Sequence, residues 1–179
     1  MPNDKNWKLI SEEPFYKGPY GRVLIKRVFE LPDKTTSDFY IRLQPDVVAV
    51  VALTPYNHVI LARQFRPGPM QYIYELPAGG VEPHDKNIAD AAARELLEET
   101  GYAGDLVYAG PCIDDAYATT TRHCFVATNC KKVTNQKLDE HEFIDVEQMD
   151  LKSFRKLLRG GLMTDVELGY MGLDCLGLL

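Results

Sequence analysis

The sequence predicts an α/β sandwich built on a mixed β-sheet, preceded by a small antiparallel β unit. Three observations carry that prediction. Val47–Leu53 is an unbroken apolar run rich in β-branched residues, the pattern of a strand covered on both faces. From a cap at Asp85 or Asn87, a run of Ala and Leu reaches a glycine stop at Gly101, which together define a helix. The first 45 residues carry strand alternation and turn residues without a helical period. Strands with helices interspersed pack as layers around a shared sheet. The expected organisation is an N-terminal β unit over 1–45 and a main domain over 46–179.

The elements follow in order. Gly21–Leu31 alternates through Val23, Ile25 and Val28, and Ser37–Leu43 is strand-like through Phe39, Tyr40 and Ile41. Pro32-Asp33-Lys34 turns between them, so the pair reads as a hairpin. Thr54-Pro55-Tyr56-Asn57 turns Val47–Leu53 into a second strand, His58–Arg66. Pro67-Gly68-Pro69 breaks the chain before a short strand at Tyr72–Leu76, which ends at Pro77-Ala78-Gly79-Gly80. Beyond the helix, strands are expected at Leu106–Ala109, His123–Thr128 and Phe143–Val146, with a polar loop over Tyr117–Arg122. Leu151–Leu158 reads as a helix stopped by Gly160-Gly161, and Thr164 or Asp165 caps a last helix reaching Leu176.

Composition narrows the function classes. With 179 residues, 45% hydrophobic and 26% charged, the chain can bury a core, which excludes a disordered or fibrous chain. The balance of 20 basic against 26 acidic residues gives −6, against the basic excess of a nucleic-acid binder. A small anionic substrate stays possible if local cations meet it. The N-terminus carries no apolar core of signal length, and Val47–Leu53 is the longest apolar run, far short of a membrane span. The expectation is a cytoplasmic protein with no membrane or nucleic-acid partner. Cys112, Cys124, Cys130 and Cys175 form no C-x-x-C pair and are expected as buried, reduced thiols.

The chemistry concentrates in Gly79–Tyr102, which contains Arg94-Glu95-Leu96-Leu97-Glu98-Glu99-Thr100-Gly101. Glu95 and Glu99 are one helical turn apart on one face, with Glu98 beside them. Like charges at that spacing repel, and the helix C-terminus disfavours anions. Such a cluster is either a solvated acidic helix end or a ligand set for a hard divalent cation such as Mg²⁺ or Mn²⁺. Arg94, four residues before Glu98, can orient it. A second acidic run, Asp139-Glu140-His141-Glu142, precedes the strand expected at Phe143. It reads as a charged loop or as a source of further carboxylates.

The segment resembles the Nudix box, G-x5-E-x7-R-E-U-x-E-E-x-G-U, where U is bulky and apolar. Arg94, Glu95, Leu96, Glu98, Glu99 and Gly101 match its second half, with Tyr102 at the last apolar position. If Gly79 opens the box, Asp85 takes the place of the first glutamate and one extra residue precedes Arg94. If Gly80 opens it, Lys86 stands there; the Gly79 alignment is preferred. Glu75-Leu76-Pro77-Ala78-Gly79 and Arg63-Gln64-Phe65-Arg66 are similar to the lead-in strands of nucleoside diphosphate sugar hydrolases.

The resemblance implies a Nudix α/β/α sandwich and Mg²⁺- or Mn²⁺-dependent cleavage of a pyrophosphate bond. The substrate implied is ADP-ribose or a related nucleoside diphosphate sugar. It implies Glu95, Glu98, Glu99, Glu142 and the Ala78 carbonyl as metal ligands, Glu140 as general base with Asp139 as fallback, and Arg94 as organiser of the glutamates. Arg66, Arg63, Glu75 and Gly79 are implied on the substrate side, and a homodimer that can exchange its N-terminal unit is implied as the assembly. Tyr72 and Tyr74 suit packing or stacking on a base; His123 and Arg122 stand near the loop that shapes a terminal ribose pocket. Many ADP-ribose pyrophosphatases carry Ser-Pro-Gly where this chain has Tyr117-Ala118-Thr119-Thr120-Thr121, which leaves other sugar nucleotides or dinucleotides open. A Nudix-fold module that binds without hydrolysing is the reading from a different class.

Overall fold

The computed structural model describes residues 6–19 and 22–179; the strand start expected at Gly21 lies outside them. The chain divides into two units, one of residues 1–45 with 113–121 and one of 46–112 with 122–179.

The first unit is a three-stranded antiparallel sheet of β1 (Lys8–Lys17), β2 (Val23–Glu30) and β3 (Thr36–Leu43), in that order. The expected hairpin is β2–β3. Its turn places Lys34 at φ 70, and the Lys34 N–H donates to the Leu31 carbonyl at 2.9 Å. Ile25 and Ile41 sit opposite each other in the register and are both buried. β1 carries no alternation to announce it. All ten of its residues are exposed, and it pairs with β2 through two register irregularities, one beside Pro14. Residues 113–121 join this unit through backbone bonds, from Arg42 N to Tyr117 O at 2.8 Å and from Thr119 N to Arg42 O at 3.0 Å. The Arg42 guanidinium also pairs with Asp114 and Asp115.

The second unit holds β4 (Val47–Leu53), β5 (His58–Arg66), β6 (Gln71–Glu75), β7 (Ala78–Gly80), β8 (Tyr102–Ile113), β9 (Thr121–Lys132) and β10 (Asp145–Asp150). Its helices are α1 (Ile88–Thr100), α2 (Leu151–Leu157) and α3 (Val166–Cys175). The strand order is β10-β5-β4-β9-β8, with β6 on β5 and β7 on β4. β4 and β9 run parallel, whereas β4 pairs antiparallel with β5 and β7, which makes the sheet mixed.

β4 explains its own sequence. Val48, Val50 and Ala52 pack with Ala91, Ala92 and Leu96 of α1. Ala49, Val51 and Leu53 point the other way, onto Phe154, Leu168 and Leu173 from the α2–α3 side. A strand with a helical layer on each face leaves no position for a polar side chain, and each buried Val or Leu contributes about 1.5–3 kcal/mol. This is the expected α/β/α sandwich.

The differences are local. Pro77–Gly80 was expected only to end a strand, yet Ala78–Gly80 forms β7 against β4. β8 runs from Tyr102 to Ile113, longer than its few apolar residues suggest. β10 begins at Asp145, set by its register with Arg63 of β5, and leaves Phe143 exposed outside the strand. Among the cysteines only Cys124 and Cys130 are buried; Cys112 is half-buried and Cys175 exposed. Among the described residues no helix is long and apolar enough to cross a membrane.

Candidate active site

The site begins with the two ends of α1. The Asn87 side chain accepts from the N–H groups of Ala89 and Asp90 at 2.9 and 3.0 Å, fixing the first turn. Gly101, at φ 76, closes the last turn through its N–H to the Leu97 carbonyl at 2.8 Å. Burial of Ala91, Ala92 and Leu96 sets the rotation of the helix about its axis.

Arg94 gathers the acids. Its Nη1 donates to Glu95 at 2.7 Å and to Glu98 at 3.2 Å. Its Nη2 donates to the Gly80 carbonyl at 3.0 Å and to Asp85 at 3.0 Å, and its Nε donates to Asp85 at 3.1 Å. Asp85 is thus the carboxylate that fixes the guanidinium from the loop, and it also accepts the Glu82 N–H at 2.8 Å. The Arg94 bonds, with help from the Glu82 N–H, hold the Asp85 carboxyl down at about 2. The alignment through Gly79 is therefore the one that the loop geometry supports. Asp85, which stands at the first glutamate of the pattern in that alignment, bonds to Arg94 through both of its oxygens.

β7 faces α1 with alternate backbone groups. Val50 N donates to Pro77 O and Val81 N to Asp46 O, both at 2.9 Å, which marks these as hydrogen-bonded pairs with β4. The intervening pairs Ala49–Ala78 and Val47–Gly80 are then the non-bonded kind, so Ala78 and Gly80 turn their N–H and C=O groups away from β4. The Ala78 N–H accordingly donates to Glu99 Oε2 at 3.1 Å, and the Gly80 carbonyl accepts from Arg94. Gly79 lies against Glu95: a Cβ there would stand 2.1 Å from Glu95 Oε1.

The second acidic run reaches the same place because the chain before it is docked on the end of α1. Val133 N donates to Gly101 O at 2.9 Å and Lys137 N to Glu98 O at 2.8 Å. Gln136 Nε2 donates to Glu99 O at 2.6 Å and to Ile144 O at 3.0 Å, tying the helix end to the far end of the acidic loop. Asp139 and Glu142 brace each other, Asp139 N donating to the Glu142 carboxylate at 3.0 Å and Glu142 N to Asp139 O at 3.1 Å.

These parts enclose a cleft of about 330 Å³. Ala78, Gly79, Gly80, Arg94, Glu95, Glu98, Glu99, Asp139 and Glu142 line it, with Glu82, His84 and Lys137 at its sides. Burial raises the Glu95 carboxyl, Arg94 opposes, and Glu98 and Glu142 add repulsion. Glu99 is pushed up to about 9, first by burial and then by Glu95, Glu142 and Glu75, while the Ala78 N–H opposes. Four carboxylates thus press on one another in a half-closed space, with Arg94 as the guanidinium among them. An all-oxygen donor set under such strain fits a hard dication. As the side chains stand, among the described residues no three acidic, His or Cys groups already enclose an ion, because Glu95 and Glu98 are drawn onto Arg94.

Other expected residues lie elsewhere. Glu140 is on an exposed turn and does not line the cleft, whereas its neighbour Asp139 does. Arg66 pairs with Glu75 through Nε at 2.9 Å and Nη2 at 2.6 Å, and Gln64 adds a bond to Glu75 at 2.8 Å. Arg63 is on the opposite face of β5, within 3.8 Å of Asp145 and Glu147 and over the Tyr72 ring at 5.0 Å. The two arginines therefore do not share one site within this unit. Tyr74 donates its hydroxyl to Glu147 at 3.1 Å, and His123 lies 2.9 Å from the Tyr108 hydroxyl. Arg122 pairs with Asp165 and Glu167. The sequence did not single out the Gly80 carbonyl, His84, Glu82 or Lys137. Their signals were a place in the box loop and, for Lys137, a position two residues before the acidic run.

Comparison with known proteins gives a consistent answer. The ADP-ribose pyrophosphatase of Bacillus subtilis (strain 168) is 31% identical over 170 residues, covering 91% of this chain and 89% of that protein. The methanol dehydrogenase activator of Bacillus methanolicus is 33% identical over 148 residues, covering 80% of this chain and 78% of that one. The crystal structure of an ADP compounds hydrolase superposes with a TM-score of 0.78 over 97% of both chains; at 19% identity the likeness is one of fold. The NUDIX domain family model matches residues 43–163, from the end of β3 to the stretch before α3, and so spans all the residues around the cleft. On that match and those relatives, this chain belongs to the Nudix family and is a Nudix pyrophosphohydrolase.

Proposed function

We propose that the enzyme hydrolyses the pyrophosphate bond of ADP-ribose or a related nucleoside diphosphate sugar, with Mg²⁺ or Mn²⁺ as cofactor. The observation that carries this is the convergence of Glu95, Glu98, Glu99 and Glu142 on one cleft opposite the β7 backbone. The name of the Bacillus subtilis relative supports the substrate class. Glu95, Glu98, Glu99, Glu142 and the Ala78 carbonyl would hold the cation. When bound there, such a cation polarises phosphoryl oxygens and makes water easier to deprotonate.

The remaining roles belong to the chain. Arg94, held by Asp85, keeps the glutamates aimed while their charge is uncompensated. Gly79 leaves room for Glu95 beside the β7 backbone. Glu140 takes the proton of the attacking water, its exposed turn moving toward the cleft on substrate binding; Asp139, already at the cleft, is the fallback. Water adds to one phosphorus as its bond to the bridging oxygen breaks, yielding a nucleoside monophosphate and a sugar phosphate. Arg66 contacts the phosphates. Glu75 holds Arg66 in its present place, and Arg63 would act from a separate surface.

The same reading carries a cytoplasmic homodimer that can exchange its N-terminal unit, which exposed apolar residues of β1 such as Leu9, Ile10 and Phe15 support. The test is a panel of nucleoside diphosphate sugars and dinucleotides with Mg²⁺, read by product chromatography. AMP and ribose 5-phosphate from ADP-ribose are expected. Binding across the panel without any product would overturn the proposal in favour of a non-hydrolysing module.

A further inference from the structure

We infer that Asp165 is a positioning residue for the cleft, fixing with Thr164 the Leu76–Pro77–Ala78 corner that presents the Ala78 backbone to Glu99. The inference rests on the metal reading of that cleft. Asp165 occupies the N-cap position of α3 but makes no side-chain cap bond. It is 5% exposed, and its carboxylate is used elsewhere. One oxygen accepts the Leu76 N–H at 3.0 Å; the other takes Arg122, which neutralises it.

The corner is held through three of its backbone polar groups. Leu76 N–H is on Asp165, Pro77 has no N–H, Pro77 O accepts Val50 N–H, and Ala78 N–H is on Glu99. Two buried carboxylates from two different helical ends thus grip one three-residue turn. The stretch before α3 is itself seated along β6: Tyr74 N donates to Leu162 O at 2.9 Å, and Tyr74 bridges Met163 in parallel. Thr164 Oγ1 lies 3.2 Å from both Glu75 and Asp165, so the same stretch reaches the carboxylate that holds Arg66. Loosening Asp165 leaves every expected carboxylate ligand unaltered but frees the backbone that carries the Ala78 carbonyl and N–H. Such supporting groups commonly govern metal affinity or activity by about 10–100-fold.

The test measures Mn²⁺ binding without substrate, from loss of the free-ion electron paramagnetic resonance signal, on variants shown folded by circular dichroism. Asp165→Ala should raise the half-saturating Mn²⁺ concentration about tenfold. Asp165→Asn, which keeps an acceptor for Leu76, should raise it less than about threefold. A merely structural role would lower Tm and leave the Mn²⁺ midpoint where it was; that result for Asp165→Ala overturns the inference. If Asp165→Ala does not fold, Thr164→Val carries the test: a midpoint raised about threefold supports the inference, and an unchanged one overturns it. Glu99→Gln separates the two layers. If it leaves the midpoint unchanged, the metal reading falls and the inference with it. If it shifts the midpoint and Asp165→Ala does not, only the Asp165 inference falls.

Discussion

Gly79→Ala isolates the close approach between β7 and α1. The added Cβ would stand 2.1 Å from Glu95 Oε1 and 2.2 Å from its Cδ. Ordinary contact begins near 3.4 Å, so the Glu95 carboxylate must retreat by about 1.3 Å. The backbone raises no objection, because Gly79 is not among the glycines with positive φ. The displaced group is the tip of a flexible side chain, so the stability cost reduces to a weakened Arg94–Glu95 pair. For one weakened hydrogen bond in a pair whose side chains are 15% and 12% exposed, that is about 1 kcal/mol, or roughly 2–4 °C in Tm for a chain of this size. Function should respond far more, since misplacing a catalytic group by about 1 Å can cost roughly 10²-fold. Differential scanning fluorimetry and kcat/KM on ADP-ribose with Mg²⁺ measure the two effects. A variant that keeps kcat/KM within about threefold of the unchanged chain refutes the placement of Glu95 at the reacting centre.

Three further outcomes are expected. Glu99 is raised to about 9, so the folded, metal-free chain holds a proton that the unfolded chain releases near 4.5. Its contribution to stability is complete below about 4.5 and is lost as pH rises toward 9, by up to about 1.4 kcal/mol per pH unit. Thermal unfolding in chelator from pH 6 to 8 should show a downward slope in Tm that Glu99→Gln flattens; parallel slopes would contradict it. Asp139→Asn and Glu140→Gln, compared by kcat at saturating metal, assign the base, and the true one should cost about 10²–10⁴-fold. Gly172→Ala puts a Cβ 2.4 Å from Val51 Cγ2 in the central strand, which cannot retreat. A loss of about 1–3 kcal/mol in denaturant unfolding with unchanged activity at low temperature is expected.

The parts of the fold legible in the sequence were those where one segment determines its own state. β4 announces itself because both its faces are buried, and α1 because Asn87 and Gly101 are local signals. β1 and β7 were not legible, since a fully exposed strand and an Ala-Gly-Gly run become strands only through partners. Residues 113–121 carry no sequence mark of their bonds to Arg42. For the site, the box named Glu95, Glu98 and Glu99, and the pocket contains them. Spacing separates Arg63 from Arg66 once His58–Arg66 is read as a strand, since an odd offset places them on opposite faces. It could not show that Asp139, rather than Glu140, lines the cleft, because a turn residue's direction is set by its own backbone bonds.

Gln136 has a consequence for how the cleft would meet a cation. A single amide fastens both the helix end and Ile144, so residues 137–143 form a short loop closed at its two ends. Loop carboxylates held this way are present at an effective concentration of at least the order of millimolar beside Glu95 and Glu99. The entropy of closing that loop is lost when the chain folds, not when the ligand arrives. Lengthening the loop by a residue or two would dilute Glu142 only slowly, and opening the Gln136 bonds would leave a longer loop still anchored by β9 and β10.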